Sequence, residues 1–153
     1  MALRKILTDK DESLHKVCKP VEKFDKKLAQ LLDDMHDTLD KAQGVGLAAP
    51  QIGICRRIFI MHLEEGNIEA INPEIVSRKG RQRVEEGCLS CPNVWGFVTR
   101  PMHCRLKAQD RYGNWWERDF HELGAQCTEH EYDHLDGHVF TEKVEEFFVP
   151  EES

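Results

Sequence analysis

No stretch of this 153-residue chain approaches the ~20 consecutive apolar positions that a membrane-spanning helix needs. A basic excess is also missing. Twenty-one Lys and Arg stand against 28 Asp and Glu, a formal net charge of −7. That balance argues against a protein that works by holding nucleic acid or an anionic membrane. The opening residues, Met1 to Asp9, lack the apolar core of a signal peptide, so the expectation is a cytoplasmic protein. Internal repeats, low-complexity tracts and linker-like stretches are lacking too. The chain is therefore expected to form one domain, residues 1–153, ending in a short acidic tail over 142–153.

Cysteine, by contrast, is present six times, at Cys18, Cys55, Cys88, Cys91, Cys104 and Cys127. These positions are scattered through segments that read as strands and helices, unlike a small disulfide scaffold. In a reducing compartment they would be thiols, metal ligands or redox groups.

Hydrophobic periodicity predicts the elements. Leu28, Leu31, Leu32, Met35, Leu39 and Ala42 recur at helical spacing over 25–43, with Gly44 placed to end the helix. Residues 44–53 read as loop or short strand. Strands are expected at 57–63 and at 68–76, the second broken by Pro73, and 77–86 as an extended polar stretch. Cys104, Leu106 and Ala108 alternate along 103–109, and the turn 111–114 returns the chain through 115–120 as a hairpin. A second helix is expected over 123–135, stopped by Gly137. The fold class that follows is α+β: one domain with a mainly antiparallel sheet packed around this central helix, and an N-terminal helix.

The second helix carries His130-Glu131-Tyr132-Asp133-His134, an HExxH sequence. Positions i and i+4 share a helical face, so the two imidazoles can grip one cation while Glu131 stands beside them for proton transfer. A hydrolytic site of this kind needs a third ligand. The HExxHxxGxxH pattern matches through Gly137 but ends at Phe140, so its third histidine is missing. Glu142, Glu145 and Glu146 are followed by too few residues for a returning helix. Upstream, Cys88 lies in Glu86-Gly87-Cys88-Leu89-Ser90-Cys91. It is either a small buried residue or the thiolate of a His2Cys site.

Taken together, Gly44-Val45-Gly46-Leu47-Ala48-Ala49-Pro50-Gln51, Glu86-Gly87-Cys88-Leu89-Ser90 and His130-Glu131-Tyr132-Asp133-His134-Leu135-Asp136-Gly137 resemble the three motifs of peptide deformylases, in the same order. The resemblance runs from about Ile6 to Phe140. It implies a metal-dependent hydrolase that removes the formyl group from the N-terminal formyl-methionine of nascent bacterial polypeptides, its partners on this reading. It assigns Cys88, His130 and His134 to one divalent ion, Fe(II) by family habit, with Zn, Ni or Co able to take its place. Glu131 would carry protons, and the Gln51 amide and Leu89 backbone N–H would meet the oxyanion. Val45 and Gly46, with the stretch around Gly87, would hold the peptide as an added strand. Val45, Val84, Leu123, Cys127 and the His130 ring would line the methionine pocket, and Asp133 would pair with Arg100.

Four positions depart from that pattern. Gln126 stands where a pocket residue is usually apolar, Glu129 adds a carboxylate beside His130, and Trp95 replaces a common basic residue near the cleft mouth. Cys91 makes a CxxC with Cys88 and offers an oxidative bridge that would expel the metal. The acidic tail gives no basic helix for docking to ribosomal RNA. Two other readings stand beside this one: a hydrolase shifted to another acylated amine, and a closed Cys2His2 zinc module built from Cys88, Cys91, His130 and His134.

Overall fold

Helix α1 (Lys26–Ala42) begins where the Asp25 carboxylate accepts a hydrogen bond from the Leu28 N–H at 3.0 Å. It ends at Gln43, which adopts the left-handed conformation (φ 56°) expected of Gly44. The structure, a computed structural model, describes residues 2–150.

Eight strands follow in two sheets: β1 (Gly46–Ala48), β2 (Ile58–Leu63), β3 (Gly66–Lys79), β4 (Gln82–Cys88), β5 (Cys91–Arg100), β6 (His103–Gln109), β7 (Trp115–His121) and β8 (Glu146–Phe148). The larger sheet has the order β1-β2-β3-β6-β7 and the smaller β4-β5-β8; every named strand pairing is antiparallel. Helix α2 (Leu123–Leu135) forms over the residues predicted and packs against strands of both sheets, where one sheet was expected.

Alternation along β2 explains the layering. Ile58 and Ile60 point to one face, where they join Leu47 and Ile71 against Leu28, Leu32, Met35 and Leu39 of α1. Phe59, Met61 and Leu63 point to the other, with Ala48 and Ala70 against Ala125, Cys127 and Leu135 of α2. The two helices thus cover opposite faces of the larger sheet. Truncating a fully buried anchor such as Phe59 or Leu32 to Ala costs about 2–5 kcal/mol. A third cluster, Cys91, Val98 and Phe140, seals the smaller sheet.

Several sequence expectations need correction. Pro73 does not break its strand: β3 runs on through a register shift between Ile71 and Glu74, with Asn72 at φ 51°. Asn72 offsets the lost ladder bonds by bonding both ways with the Val21 backbone, at 2.7 and 2.9 Å. Strand β5 was not expected. Nor is the segment after 142 a bare tail, because Glu146–Phe148 pairs with β5. Gly137 stops α2 as predicted. It takes φ 80°, and a Cβ there would lie 2.9 Å from the His15 carbonyl carbon.

Candidate metal centre and cleft

Helix α2 has one face in the core and one in a cleft of about 480 Å³. From the cleft face His130 and His134 project toward the end of β4. One ligand atom each from Cys88, His130 and His134 lies within 4.8 Å of the other two. Cys88 Sγ and His134 Nε2 are 3.5 Å apart. A tetrahedral ion with ordinary S and N bond lengths separates such ligands by about 3.5 Å, so the set fits a divalent cation of intermediate softness. Cys91 stands outside this cluster, so the closed Cys2His2 arrangement is not assembled.

The candidate ligands are held from behind. His130 Nδ1 donates to Glu86 Oε1, which leaves Nε2 facing the cluster. Glu86 in turn is gripped by Arg100, and Arg100 Nη1 reaches Asp133 at 2.8 Å, the pairing expected for Asp133. Glu86 and Arg100 are only 4% and 3% exposed, so each needs the other. The motif carries Glu86 without revealing its role; the available signal is an acid two residues before Cys88 on the same strand.

Burial sets the protonation of the site. It pushes the His134 imidazole well below its usual range and so keeps it neutral, as a ligand must be. It also lifts the Glu131 carboxyl to about 7. The Cys88 thiol is pushed up by its hydrogen bond with Cys91, then by burial and Glu131, and a cation beside it would work in the opposite direction. Among the described residues, two buried side-chain atoms lack a hydrogen-bond partner, Glu131 Oε1 and His134 Nδ1. An acceptor left open beside three converging ligand atoms is a place for water or substrate.

Of the sequence-predicted cleft residues, Val45, Gly46, Gln51, Gly87, Cys88, Leu89, Leu123, Cys127, His130 and Glu131 all line the cavity, whereas His134 lies beneath it. Val84 does not line it. Val84 shares its face with Glu86 but sits one strand repeat farther along, opposite Val98. At Gly46 a Cβ would fall 2.7 Å from both Cys127 Sγ and Glu131 Oε2, so only glycine brings this backbone up to the acid. Gln51 Oε1 accepts from the Ala48 N–H at 2.9 Å, while Nε2 faces Ser90 Oγ at 3.0 Å and Cys88 Sγ at 3.6 Å.

The departures resolve unevenly. Trp95 and Gln126 line the cleft, and Trp95 lies across Gly87 where a Cβ would meet its ring at 2.6 Å. Gln126 Nε2 donates to the Glu85 carbonyl at 3.0 Å and to Glu86 Oε2 at 3.3 Å. Glu129 is buried and pairs with Arg78 at 2.8 Å, so it is neither part of the candidate ligand cluster nor solvated.

The family model for polypeptide deformylase matches residues 3–147. The chain is 53% identical over 152 residues to a peptide deformylase of Caldicellulosiruptor bescii, covering 99% of this chain and 92% of that one. It is 43% identical over 154 residues to peptide deformylase 1 of Bacillus subtilis, covering 99% and 96%. Among solved structures, a peptide deformylase from Legionella pneumophila superposes with a TM-score of 0.91 at 44% identity over 94% of this chain and 86% of that one. The peptide deformylase from Thermotoga maritima gives 0.92 at 35% identity over 94% and 99%.

Proposed function

Since the chain belongs to the polypeptide deformylase family, we propose that its cleft removes the formyl group from formyl-methionine at the N-terminus of nascent peptides through Glu131, with Cys88, His130 and His134 holding the ion. The observation that carries this assignment is the open, buried Oε1 of Glu131 beside three converging ligand atoms. When bound, the ion supplies Lewis acidity toward water and the formyl oxygen. Fe(II) is the native ion on this reading, and Zn, Ni or Co are its substitutes.

The residues do the rest. Glu131 takes the proton of the attacking water and returns it to the leaving amine, which must depart protonated. The Gln51 amide and the Leu89 N–H lie on the wall where the carbonyl oxygen gains charge, and hold it there. Val45 and Gly46 on one rim and Gly87 on the other present backbone to an extended peptide. Leu123, Cys127 and the His130 ring floor the methionine pocket. No helix among the described residues is long and apolar enough to cross a membrane. The cytoplasm, where nascent chains are made, is the proposed setting, with no nucleic-acid contact.

The test is formate release from a formyl-Met peptide by protein loaded with Fe(II) without oxygen. Glu131→Ala is expected to keep its metal by elemental analysis and to lose activity by about 10²–10⁴. A fully active Glu131→Ala enzyme would refute the assignment.

A further inference from the structure

Two cysteines outside the cleft lie closer together than their sequence separation suggests. Cys18 Sγ and Cys55 Sγ are 3.5 Å apart. Their backbones are set side by side by the parallel bridge Lys19↔Arg56, with Lys19 N–H donating to the Cys55 carbonyl at 3.2 Å and Arg57 N–H to the Lys19 carbonyl at 2.9 Å. Neighbouring extended segments run ~4.8 Å apart, inside the Cα window of about 4.4–6.8 Å that a disulfide accepts. Rotation of the two side chains is all that remains to close a bond of about 2.05 Å.

The pair also sits at a mechanically useful place. Cys18 N–H donates to the Leu135 carbonyl at 2.8 Å, and Arg57 Nη1 donates to that carbonyl and to Asp136 Oδ1, both at 3.0 Å. Leu135 follows the ligand His134. The segment before α1 and the turn before β2 therefore meet at the C-terminal end of the ligand helix, on the side away from the cleft.

We propose that Cys18 and Cys55 are a redox clasp: a hydroperoxide converts them to a disulfide that locks the N-terminal segment behind α2 and leaves the cleft untouched. Cys55 is the half-exposed member and Cys18 the buried one, 3% exposed, so the oxidant meets Cys55 first. The Cys55 sulfur takes oxygen from the peroxide, becomes a sulfenic acid and releases one water. The Cys18 sulfur then attacks that of Cys55. The S–S bond forms, the S–O bond breaks, and hydroxide leaves with the Cys18 proton as a second water. Two thiols lose two electrons, and the peroxide is reduced to two waters. Burial and Cys55 hold the Cys18 thiol up at about 12, which keeps it from reacting first, and the 3.5 Å approach offsets its weak acidity in the second step. In a reducing compartment the pair rests as thiols.

The experiment treats the Zn-loaded protein, whose ion does not react with peroxide, with hydrogen peroxide, blocks remaining thiols, digests it without reductant and identifies linked peptides by mass spectrometry. A peptide joining Cys18 to Cys55 is expected, two hydrogens lighter than the free pair and lost on dithiothreitol treatment. The oxidised protein should melt higher by on the order of 5–10 °C, because the bridge closes a long loop, with metal content unchanged. Cys55→Ser, an isosteric change at a half-exposed site, should abolish both the linkage and the shift while keeping basal activity. Oxidation of Cys55 to its oxyacids with Cys18 still free would overturn the proposal, as would a bridge confined to Cys88 and Cys91.

Discussion

Two polar networks flank the larger sheet, and they differ in one respect. Beside the cleft, Arg100 joins Glu86 and Asp133, Lys143 adds to Asp133 at 2.8 Å, and Glu86 holds His130. Beside α1, Asp40 meets His62 at 3.2 Å, His62 meets His36 at 2.7 Å, His36 meets Glu69 at 2.8 Å, and Arg111 ties Glu69 to Asp33 at 2.7 and 3.0 Å. The second network leaves no buried side-chain acceptor or donor unpartnered among the described residues; the two atoms that are, Glu131 Oε1 and His134 Nδ1, lie on α2, the helix to which the first network is anchored. A network that is closed holds structure together. One that leaves a buried carboxylate oxygen and an imidazole nitrogen open is keeping places for other atoms.

The contrast predicts opposite results for acids of the same type. Glu131→Ala is expected to cost about 10²–10⁴ in kcat/KM and almost nothing in stability, since its buried Oε1 has no protein partner to lose. Glu69→Ala should do the reverse, lowering the melting temperature while kcat/KM stays within about twofold. Equal losses of activity in the two variants would erase the distinction. Glu86→Ala should do both kinds of damage. It leaves the buried Arg100 with Asp133 as its remaining carboxylate, for about 1–3 kcal/mol by chemical denaturation, and it frees the His130 ring, for about 10–100-fold in metal affinity by competition with a chelator.

Much of this was legible in the chain, and the residues show why. Helix α2 announced itself by HExxH and a stop at Gly137, and the β6–β7 hairpin by the alternation of Cys104, Leu106 and Ala108, all three buried in one cluster. Strand β5 escaped because Pro92, Asn93 and Gly96 interrupt any period, and Gly96 is there to let Val144 lie against the backbone, where a Cβ would meet it at 2.5 Å. Strand β8 escaped because three residues in an acidic stretch carry no periodic signal; their partners lie about 50 residues upstream, from Trp95 to Phe97. His130, Glu131 and His134 were readable because helical spacing sets them side by side, whereas Cys88, on a distant strand, was singled out only by the resemblance of its motif. Glu86 was not, because its partner His130 lies 44 residues away and a strand tells only which face a side chain takes.

The closed network also makes a pH prediction. Burial alone would raise the pKa of Glu69, but hydrogen bonds from His36 and Arg111 reverse that and hold it at about 2, against 4.5 in an open chain. A carboxylate depressed in the fold stabilises it above the unfolded value and loses that contribution as pH falls through the folded one. Stability from Glu69 is thus full above about 4.5 and gone near 2, a contribution of about 1–3 kcal/mol. Urea denaturation of wild type and Glu69→Gln should give curves that differ at neutral pH and converge across that window. Parallel curves would place the acid sensitivity elsewhere.

The smallest effect belongs to the cleft wall. Gln126 spends its amide N–H groups on the Glu85 carbonyl and on Glu86, so it joins the ligand helix to β4 while presenting a polar edge to the pocket. Replacing it with Ile removes both bonds and makes the wall apolar. A whole apolar pocket discriminates one methylene by about 10–200-fold, and a single wall supplies only part of that. Gln126→Ile should therefore raise the preference for formyl-Met over formyl-Ala peptides by about two- to tenfold in kcat/KM. The lost tie to Glu86 should at the same time weaken metal retention slightly, far less than Glu86→Ala does. An unchanged preference with the same metal loss would show that Gln126 serves the ligand helix and not the substrate.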